Sequence, residues 1–199
     1  MFIKSLRISV LMWLACTLVF GGLYPAAVTG VAAALFPEQA GGSLIKDKDG
    51  SILGSRLIGQ NFSDAKYFWS RLSATGPQPY NAASSSGSNY GVNNPALLDA
   101  VKGRVEALQK ADPDNKNPVP VDLATASGSG LDPHISLAAA EYQAGRVARA
   151  RGMKLEDVQA LIDANTDSRQ LGILGEPGVN VLALNLALDE KASHAEGAK

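Results

Sequence analysis

The first part of the chain is a long run without charge. No charged residue occurs from Ile8 to Pro37, a stretch of 30 positions, whereas Lys4 and Arg7 precede the run and Glu38 follows it. A helix needs about 20 apolar residues to cross the hydrocarbon core of a bilayer. The sequence therefore predicts a single membrane-spanning helix.

Basic residues predict the direction in which this anchor crosses the membrane. Two basic residues, Lys4 and Arg7, lie before the run, whereas the first ten residues after it contain one basic residue, Lys46. Because positively charged flanks stay in the cytoplasm, residues 1–7 are expected there. The predicted order of segments is then a span over 8–36, an extracytoplasmic domain over 37–190 and a mobile polar tail over 191–199.

Two processing signals offer alternatives to a retained anchor. Ala32 and Ala34 have the spacing of a signal-peptidase site, and Cys16 resembles a lipid-attachment site. A cleavable apolar region runs about 7–15 residues, roughly half of the length found here. Trp13 stands where a lipid-attachment site has an aliphatic residue. The retained anchor is therefore the favoured interpretation.

Small residues recur along one face of the predicted anchor. Gly22, Ala26, Gly30 and Ala34 are spaced by four, which lets another helix approach closely in lipid. Gly and Ala are also common in membrane helices for no special reason, so the pattern favours a helical partner without requiring one. Pro25 is expected to bend the helix, because it removes a backbone donor.

Composition limits what the 162 residues after the run can do. They carry 16 Lys and Arg against 19 Asp and Glu, scattered along the chain, so nucleic-acid binding has no electrostatic support. The only cysteine lies in the anchor, which excludes a disulfide within the domain. With only His134 and His194, no histidine-based metal site is expected. One packed domain accounts for this length.

Turn residues and apolar spacing predict an α+β domain of mixed helices and strands. A β-hairpin is expected over 43–46 and 51–58, where Asp49-Gly50 suits a hairpin turn. Residues 70–94 are crowded with turn formers, which predicts a long irregular loop that is functional or held by a partner. The other expected elements are a helix over 95–111 capped by Asn94, a short β-prone segment over 118–125, a helix from Asp132 to Arg151, a helix over 155–164 and a strand over 181–188.

One glycine-rich turn could bind an anion. Ser127, Gly128, Ser129 and Gly130 precede the predicted Asp132 helix start, where backbone N–H groups and the helix dipole favour negative charge. No phosphate-loop lysine follows, so the match to a nucleotide loop is weak, and a tight turn is the plainer interpretation.

Two further groups of side chains stand out. Gln143 and Arg146 share a helix face and could hold a phosphate or a neighbouring loop. Tyr67, Phe68 and Trp69 lie beside Arg71, and adjacent residues cannot all face one way. Part of this aromatic cluster is therefore expected in the core and part at an interface.

A hydrolase is the alternative from a different functional class. Ser129, Asp132 and His134 are the residue types of a catalytic triad, but they lie too close together in the sequence to adopt triad geometry freely. The glycine pattern of a nucleophile elbow is absent, and Asp132 is better used as a helix cap. An anchored extracytoplasmic hydrolase is thus the weaker hypothesis.

Taken in order, many short segments resemble the C subunit of the Kdp-type potassium-transporting ATPase, over nearly the whole chain. The segments that carry the resemblance are Gly54-Ser55, 57–62, Tyr67-Phe68, Arg71, Ser73-Ala74, Tyr80-Asn81, 87–89, Asn94-Pro95, 125–136, Gln143, 146–148, 174–177, 179–181 and 184–188. Three positions depart from the family pattern. Leu72 replaces a proline, Ser86 a glycine and Gly178 an arginine, so no positive charge near Glu176 can be inferred.

The resemblance implies a non-catalytic accessory subunit of an inner-membrane, ATP-driven potassium uptake complex. The implied partners are a potassium-channel-like A subunit, a P-type pump B subunit and a small single-span subunit, together with membrane lipid. The implied role is a catalytic chaperone that raises the ATP affinity of the pump subunit. No cofactor of its own is implied, although ATP is expected to act through the pump subunit.

The resemblance also implies candidate site residues. The nucleotide candidates are Gln143, Arg146, Ser127, Gly128, Ser129 and Gly130. The candidates for partner contacts are Tyr67, Phe68, Arg71, Tyr80, Asn81 and Asn89. Because ATP is cytoplasmic and the charge bias places Gln143 outside, a direct nucleotide contact and the predicted topology exclude each other. The nucleotide effect is then either indirect, or the anchor is inverted.

Overall fold

The computed structural model describes the backbone of residues 2–197 and the side chains of residues 2–192. The chain divides into two compact units, Met1–Leu53 and Gly54–Lys199. In the first unit, α1 (Phe2–Leu18), a π-helical turn (Val19–Leu23) and α2 (Tyr24–Leu35) form one continuous helix. Of the described helices, this one alone is long and apolar enough to cross a membrane, and none of its described residues is buried.

The π-helical turn ends at Leu23, two residues before Pro25, where the sequence predicts a bend. Since Pro25 has no N–H, the hydrogen bonds before it shift to wider spacing, which is one of the known causes of a helix irregularity. A short helix α3 (Pro37–Ala40) follows the anchor.

The expected hairpin is present in two short strands. β1 (Leu44–Lys46) pairs with β2 (Ile52–Ser55), so the second strand is shorter than predicted. The Ser51 carbonyl accepts a hydrogen bond from the Asp47 N–H at 2.9 Å, and Gly50 adopts a φ of +80°. That φ suits glycine, as the turn chemistry requires.

Among the described residues of the second unit, the sheet has three strands in the order β3–β5–β4, all antiparallel. These strands are β3 (His134–Ser136), β4 (Thr166–Asp167) and β5 (Gly178–Asn180). The helices are α4 (Pro95–Ala111), α5 (Val121–Ala124), α6 (Leu137–Arg151), α7 (Leu155–Ala164) and α8 (Val181–Gly197). The structure confirms the mixed α/β class, the irregular loop over 70–94, and the helices over 95–111 and 155–164.

The predicted start of the long helix is wrong. Asp132 Oδ1 accepts a hydrogen bond from the His134 N–H at 3.0 Å in a local turn, and residues 134–136 pair with β5. The helix begins instead at Leu137, where the Ser136 hydroxyl caps the Ala139 N–H at 3.0 Å. Strand pairing across the chain therefore delays the helix by one turn.

Two strand predictions are also wrong, because helices form there. Residues 121–124 make the short helix α5 within the β-prone segment. Residues 181–188 belong to α8. The Asn180 side chain caps the start of this helix, since its Oδ1 accepts a hydrogen bond from the Ala183 N–H at 3.0 Å. The buried positions are Val181, Leu182, Leu184, Asn185 and Leu188. That set has helical spacing, whereas the alternation of leucines that suggested a strand is a coincidence of composition.

Helix α8 continues to Gly197, through most of the segment predicted as a polar tail. The last two residues of that segment lie outside the described residues, as does the side chain of His194.

Candidate functional site

The centre of the second unit is a segment without regular secondary structure, residues 68–70, hereafter the buried segment. Gln143 on α6 lies against it and is only 1% exposed. Its amide oxygen accepts a hydrogen bond from the Trp69 N–H at 2.8 Å, and its amide nitrogen donates to the Trp69 carbonyl at 3.1 Å. One side chain thus pairs both backbone groups of Trp69, as a neighbouring strand would.

Asn185 on α8 pairs both backbone groups of Phe68, the residue before Trp69. Its amide oxygen accepts from the Phe68 N–H at 2.9 Å, and its amide nitrogen donates to the Phe68 carbonyl at 3.0 Å. Side chains from two helices therefore satisfy the backbone hydrogen bonds that neighbouring strands would satisfy in a sheet.

Two arginines lie near the ring of Trp69. The guanidinium carbon of Arg146 is 4.9 Å from the ring centroid, and that of Arg104 is 5.2 Å away. Arg104 also donates to the carbonyls of Leu123 and Ser70 at 3.1 and 2.9 Å. These contacts combine cation–π attraction with charge-assisted hydrogen bonds, so they fix the position of the buried segment.

Backbone and side-chain dipoles inside the domain stabilise the positive charge of Arg146. Its guanidinium donates to the Ala65 carbonyl at 2.5 Å and to Gln143 Oε1 at 2.8 Å. Burial lowers the pKa of Arg146 to about 10, and the nearby Asp112 carboxylate opposes that shift. Arg146 therefore stays protonated at neutral pH. The geometry shows that Gln143 and Arg146 hold a neighbouring segment, which is one of the two roles left open by the sequence. A phosphate contact remains a prediction.

The glycine-rich turn 127–130 packs against the irregular loop over 70–94. The Ser127 hydroxyl accepts from the Gly130 N–H at 2.8 Å, and the Ser129 carbonyl accepts from the Ser86 N–H at 2.9 Å. Gly130 has a φ of +68°, and an added Cβ would lie 2.5 Å from a Thr75 carbon. Because β3 follows this turn, the predicted helix dipole behind it is wrong.

Arg71 links the same loop to the start of β3. Its guanidinium forms an ion pair with Asp132 at 3.0 Å, and its carbonyl accepts from the Tyr80 hydroxyl at 2.5 Å. Burial raises the pKa of Tyr80, so this hydroxyl remains a donor. Arg71 and Tyr80, both predicted partner contacts, therefore hold the loop over 70–94 in place.

The other predicted partner contacts divide between core and surface. Phe68 is fully buried, so its side chain belongs to the core. Tyr67 is half-buried, and its hydroxyl donates to Asp189 at 3.0 Å. Asn81 donates to the Gly76 carbonyl at 2.7 Å, and Asn89 is exposed with a φ of +51°.

His134 and Ser129 have separate partners. His134 Nε2 lies 2.9 Å from Asp167 Oδ2 across the sheet, and its Nδ1 lies 3.8 Å from Asp132. The Ser129 hydroxyl accepts from the Leu131 N–H at 3.1 Å. Within the described residues, no hydrogen bond joins Ser129 to His134, so the hydrolase hypothesis lacks its nucleophile–base pair.

The predicted small-residue face of the anchor is open. A Cβ added at Gly22 or Gly30 would meet no atom within 4 Å, and Ala26 and Ala34 are exposed. A helical partner for this face remains a prediction, and lipid or another helix has to cover it.

Comparison with known proteins decides the family. The sequence profile described as KdpC, the c chain of a K⁺-transporting ATPase, matches residues 6–190. The chain belongs to this family. It is 64% identical over 173 residues to the potassium-transporting ATPase KdpC subunit of Polynucleobacter asymbioticus, covering 87% of this chain and 91% of that protein.

Two other KdpC subunits are similarly close. The subunit of Dechloromonas aromatica is 62% identical over 184 residues, which is 92% of this chain and 96% of the relative. That of Methylococcus capsulatus is 61% identical over 187 residues, which is 94% and 98% of the two chains. The chain is therefore a subunit of a multi-subunit potassium-transporting ATPase, with one helix suited to a membrane.

Sequence reasoning missed two residues that contact the buried segment, Arg104 and Asn185. It also missed Asn180, which caps α8, and Asp167, which contacts His134. Asn180 carried a usable signal, since an Asn directly before an apolar segment is a common helix cap. Asn185 carried none, because an amide among leucines has no local hallmark of burial.

Proposed function

We propose that this protein is a non-catalytic accessory subunit that braces the potassium-transporting complex. Its anchor crosses the inner membrane with the N-terminus in the cytoplasm, and its domain covers the extracytoplasmic potassium entrance. Its neighbours are the channel-like A subunit, the pump B subunit, the small single-span subunit and membrane lipid. The family membership supports the assignment to this complex.

The observation that carries this proposal is the exposed helix Phe2–Leu35 joined to a separate folded domain. None of its described residues is buried, and an apolar helix of this length needs lipid or another helix around it. Lys4 and Arg7 at its start support a cytoplasmic N-terminus.

For the chaperone role, we infer that this subunit raises the ATP affinity of the pump subunit through the assembly. Gln143 supports an indirect effect, because its amide oxygen accepts two hydrogen bonds and its amide nitrogen donates two. A nucleotide could contact Gln143 only after displacing Trp69 or Arg146, at a cost of about 1–3 kcal/mol for each buried group left unpaired.

A topology experiment tests the placement of the domain. A reporter active only in the cytoplasm, fused after Lys199, should be silent, while the same reporter before Phe2 should be active. Active reporter after Lys199 would place the domain with ATP and would make the direct nucleotide role the better account.

A growth experiment tests the accessory role. Cells that depend on this transporter should fail to grow at micromolar potassium when residues 1–36 are deleted, because the domain loses its hold on the complex. A variant with Cys16→Ala in the anchor is the control and should grow normally. Growth of a strain that lacks the whole chain would contradict the proposal.

The hydrolase alternative has its own test. His134→Ala should leave transport intact and cause only a small loss of stability, since it removes one surface hydrogen bond to Asp167. Loss of a hydrolytic activity with intact assembly would favour the alternative instead.

A further inference from the structure

The connection between β4 and β5, residues 168–177, ends in an exposed apolar tip. We call it the apolar loop. Leu171 is 88% exposed, Ile173 75% and Leu174 53%. Single exposed apolar residues are ordinary on protein surfaces, but three large ones within four positions form a patch that soluble surfaces avoid.

The backbone holds this tip in one shape. The N–H groups of Gln170 and Leu174 each donate to the carbonyl of the other residue at 2.9 Å. Leu171 has a φ of +53°, in a region that L-residues with a branched side chain rarely adopt. At the base of the loop, Arg169 and Glu176 form an ion pair at 2.6 Å. The tip is therefore preformed, which lowers the entropy cost of binding.

Charge around the tip argues for a protein surface as its partner. Arg169 is the only Lys or Arg between Lys154 and Lys191, and Glu176 neutralises it. At the base of the loop, Asp167 pairs with Arg56 at 4.0 Å, so these two residues add no net charge there. Segments that bind anionic lipid carry an excess of Lys and Arg, which this loop lacks. A neutral apolar tip instead complements an apolar groove on a protein.

We propose that the apolar loop inserts into an apolar groove on another subunit of the transporter, with Leu171 and Ile173 as the anchoring side chains. The proposal rests on membership of the complex, which provides partner subunits. It does not depend on the side of the membrane on which the domain lies.

Site-specific labelling tests the contact. Cys16 is the only cysteine, so Ile173→Cys in a Cys16→Ala background gives one reactive thiol. Its reaction with a maleimide should be about tenfold slower in the assembled complex than in the full-length chain alone in detergent. Leu98→Cys is the matched control, because Leu98 on α4 is 65% exposed, and its rate should change less than about twofold. A photo-crosslinker on the Ile173→Cys thiol should join this chain to another subunit.

Serine substitutions test the contribution of the tip to binding. Leu171→Ser with Ile173→Ser should reduce retention of this chain in the purified complex by about tenfold, since buried apolar anchors dominate interface affinity. Leu98→Ser should change retention by less than about twofold. Far-UV circular dichroism and the thermal midpoint of the chain in detergent should stay unchanged in both variants, which separates binding from folding.

The outcomes distinguish the possible failures. Crosslinks to lipid alone, equal labelling in both states, or a crosslinked pair of copies of this chain would each overturn the proposed contact while leaving the accessory role intact. Absence of the unmodified chain from the purified complex would instead refute the accessory role, and the loop proposal with it.

Discussion

The buried segment places polar backbone groups in the core, whereas the apolar loop places apolar side chains in water. In the buried segment, the backbone groups of Phe68 and Trp69 lie in the core and are paired by the amides of Asn185 and Gln143. In the apolar loop, Leu171 and Ile173 point away from any core. Both segments are irregular, and neither follows the rule that polar groups lie outside and apolar groups inside.

The comparison shows that a domain can compensate for buried polar groups within its own chain, but not for exposed apolar groups. A buried polar group is tolerated when its hydrogen bonds are complete, and the two amides complete them within one chain. An exposed apolar patch has no such internal remedy, because only another surface can remove it from water. The buried segment therefore concerns folding, whereas the apolar loop concerns assembly.

The largest expected effect follows from Gln143→Ala. This change leaves the N–H and carbonyl of Trp69 unpaired in the core, so the free energy of unfolding should fall by about 3 kcal/mol. Urea unfolding of the full-length chain in mild detergent measures it. Gln159→Ala, at an exposed position on α7, is the control and should change stability by less than about 0.5 kcal/mol.

The same variant separates folding from nucleotide handling. If Gln143→Ala unfolds at the wild-type urea concentration but abolishes the effect on the ATP affinity of the pump, the pairing has been overrated and a direct nucleotide contact is supported.

Two glycines repeat the contrast between packed and open surroundings. Gly130 and Gly172 have similar φ values of +68° and +76°, but a Cβ at Gly130 would lie 2.6 Å from the Ser86 carbonyl oxygen, whereas one at Gly172 would meet nothing within 4 Å. Gly130→Ala should therefore cost about 2–3 kcal/mol and Gly172→Ala about 1 kcal/mol. Thermal unfolding measures both, and equal costs would show that backbone strain alone decides.

Tyr142 tests whether completed hydrogen bonds matter. It is buried beside Gln143, yet its hydroxyl has no hydrogen-bond partner among the described residues. Tyr142→Phe removes that unpaired group and should raise the free energy of unfolding by about 1 kcal/mol. A loss of stability would show that the hydroxyl has a partner in solution.

Alkaline pH gives a second measurement on Tyr142. Burial raises its pKa, so the folded state keeps the phenolic proton at a pH where the unfolded chain loses it. The stabilisation from this shift is complete below the unfolded pKa of about 10 and is lost as pH rises through the folded pKa. Stability of Tyr142→Phe should accordingly fall less steeply above pH 10 than that of the wild type.

The smallest expected effect belongs to the apolar loop. Leu171→Ser should change the free energy of unfolding by less than about 0.5 kcal/mol, because this side chain is already in water in the isolated chain. Urea unfolding of the full-length chain measures it. A loss above about 2 kcal/mol would show that the loop packs within the domain, which would remove the contrast with the buried segment.

Local signals predicted those elements whose cause is local. The cap at Asn94, where Oδ1 accepts from the Ala96 N–H at 2.9 Å, and the turn at Gly50 depend on neighbouring residues, so the sequence indicated both correctly. The residue at which α6 begins depends on pairing and packing with distant segments. Whether residues 181–188 form a strand or a helix depends on the same kind of contact. Those predictions failed for that reason.

The candidate site was predicted in part. Gln143 and Arg146 were identified as a pair on one helix face, and the structure confirms that they contact each other. Their partner, the backbone of Trp69, lies 74 residues away from Gln143 in the chain. No spacing rule connects residues at that separation, so their role could not be derived from the sequence.

By itself, the sequence determined that the chain carries an apolar helix long enough to span a membrane, and that its ordered motifs belong to a potassium-transporting ATPase subunit. Both are properties of residues counted along the chain. Only the tertiary structure decided that two side-chain amides pair the backbone groups of Phe68 and Trp69, and that three apolar residues stay outside the core. The physical reason is that burial and hydrogen-bond pairing are set by contacts between distant segments, which no local pattern records.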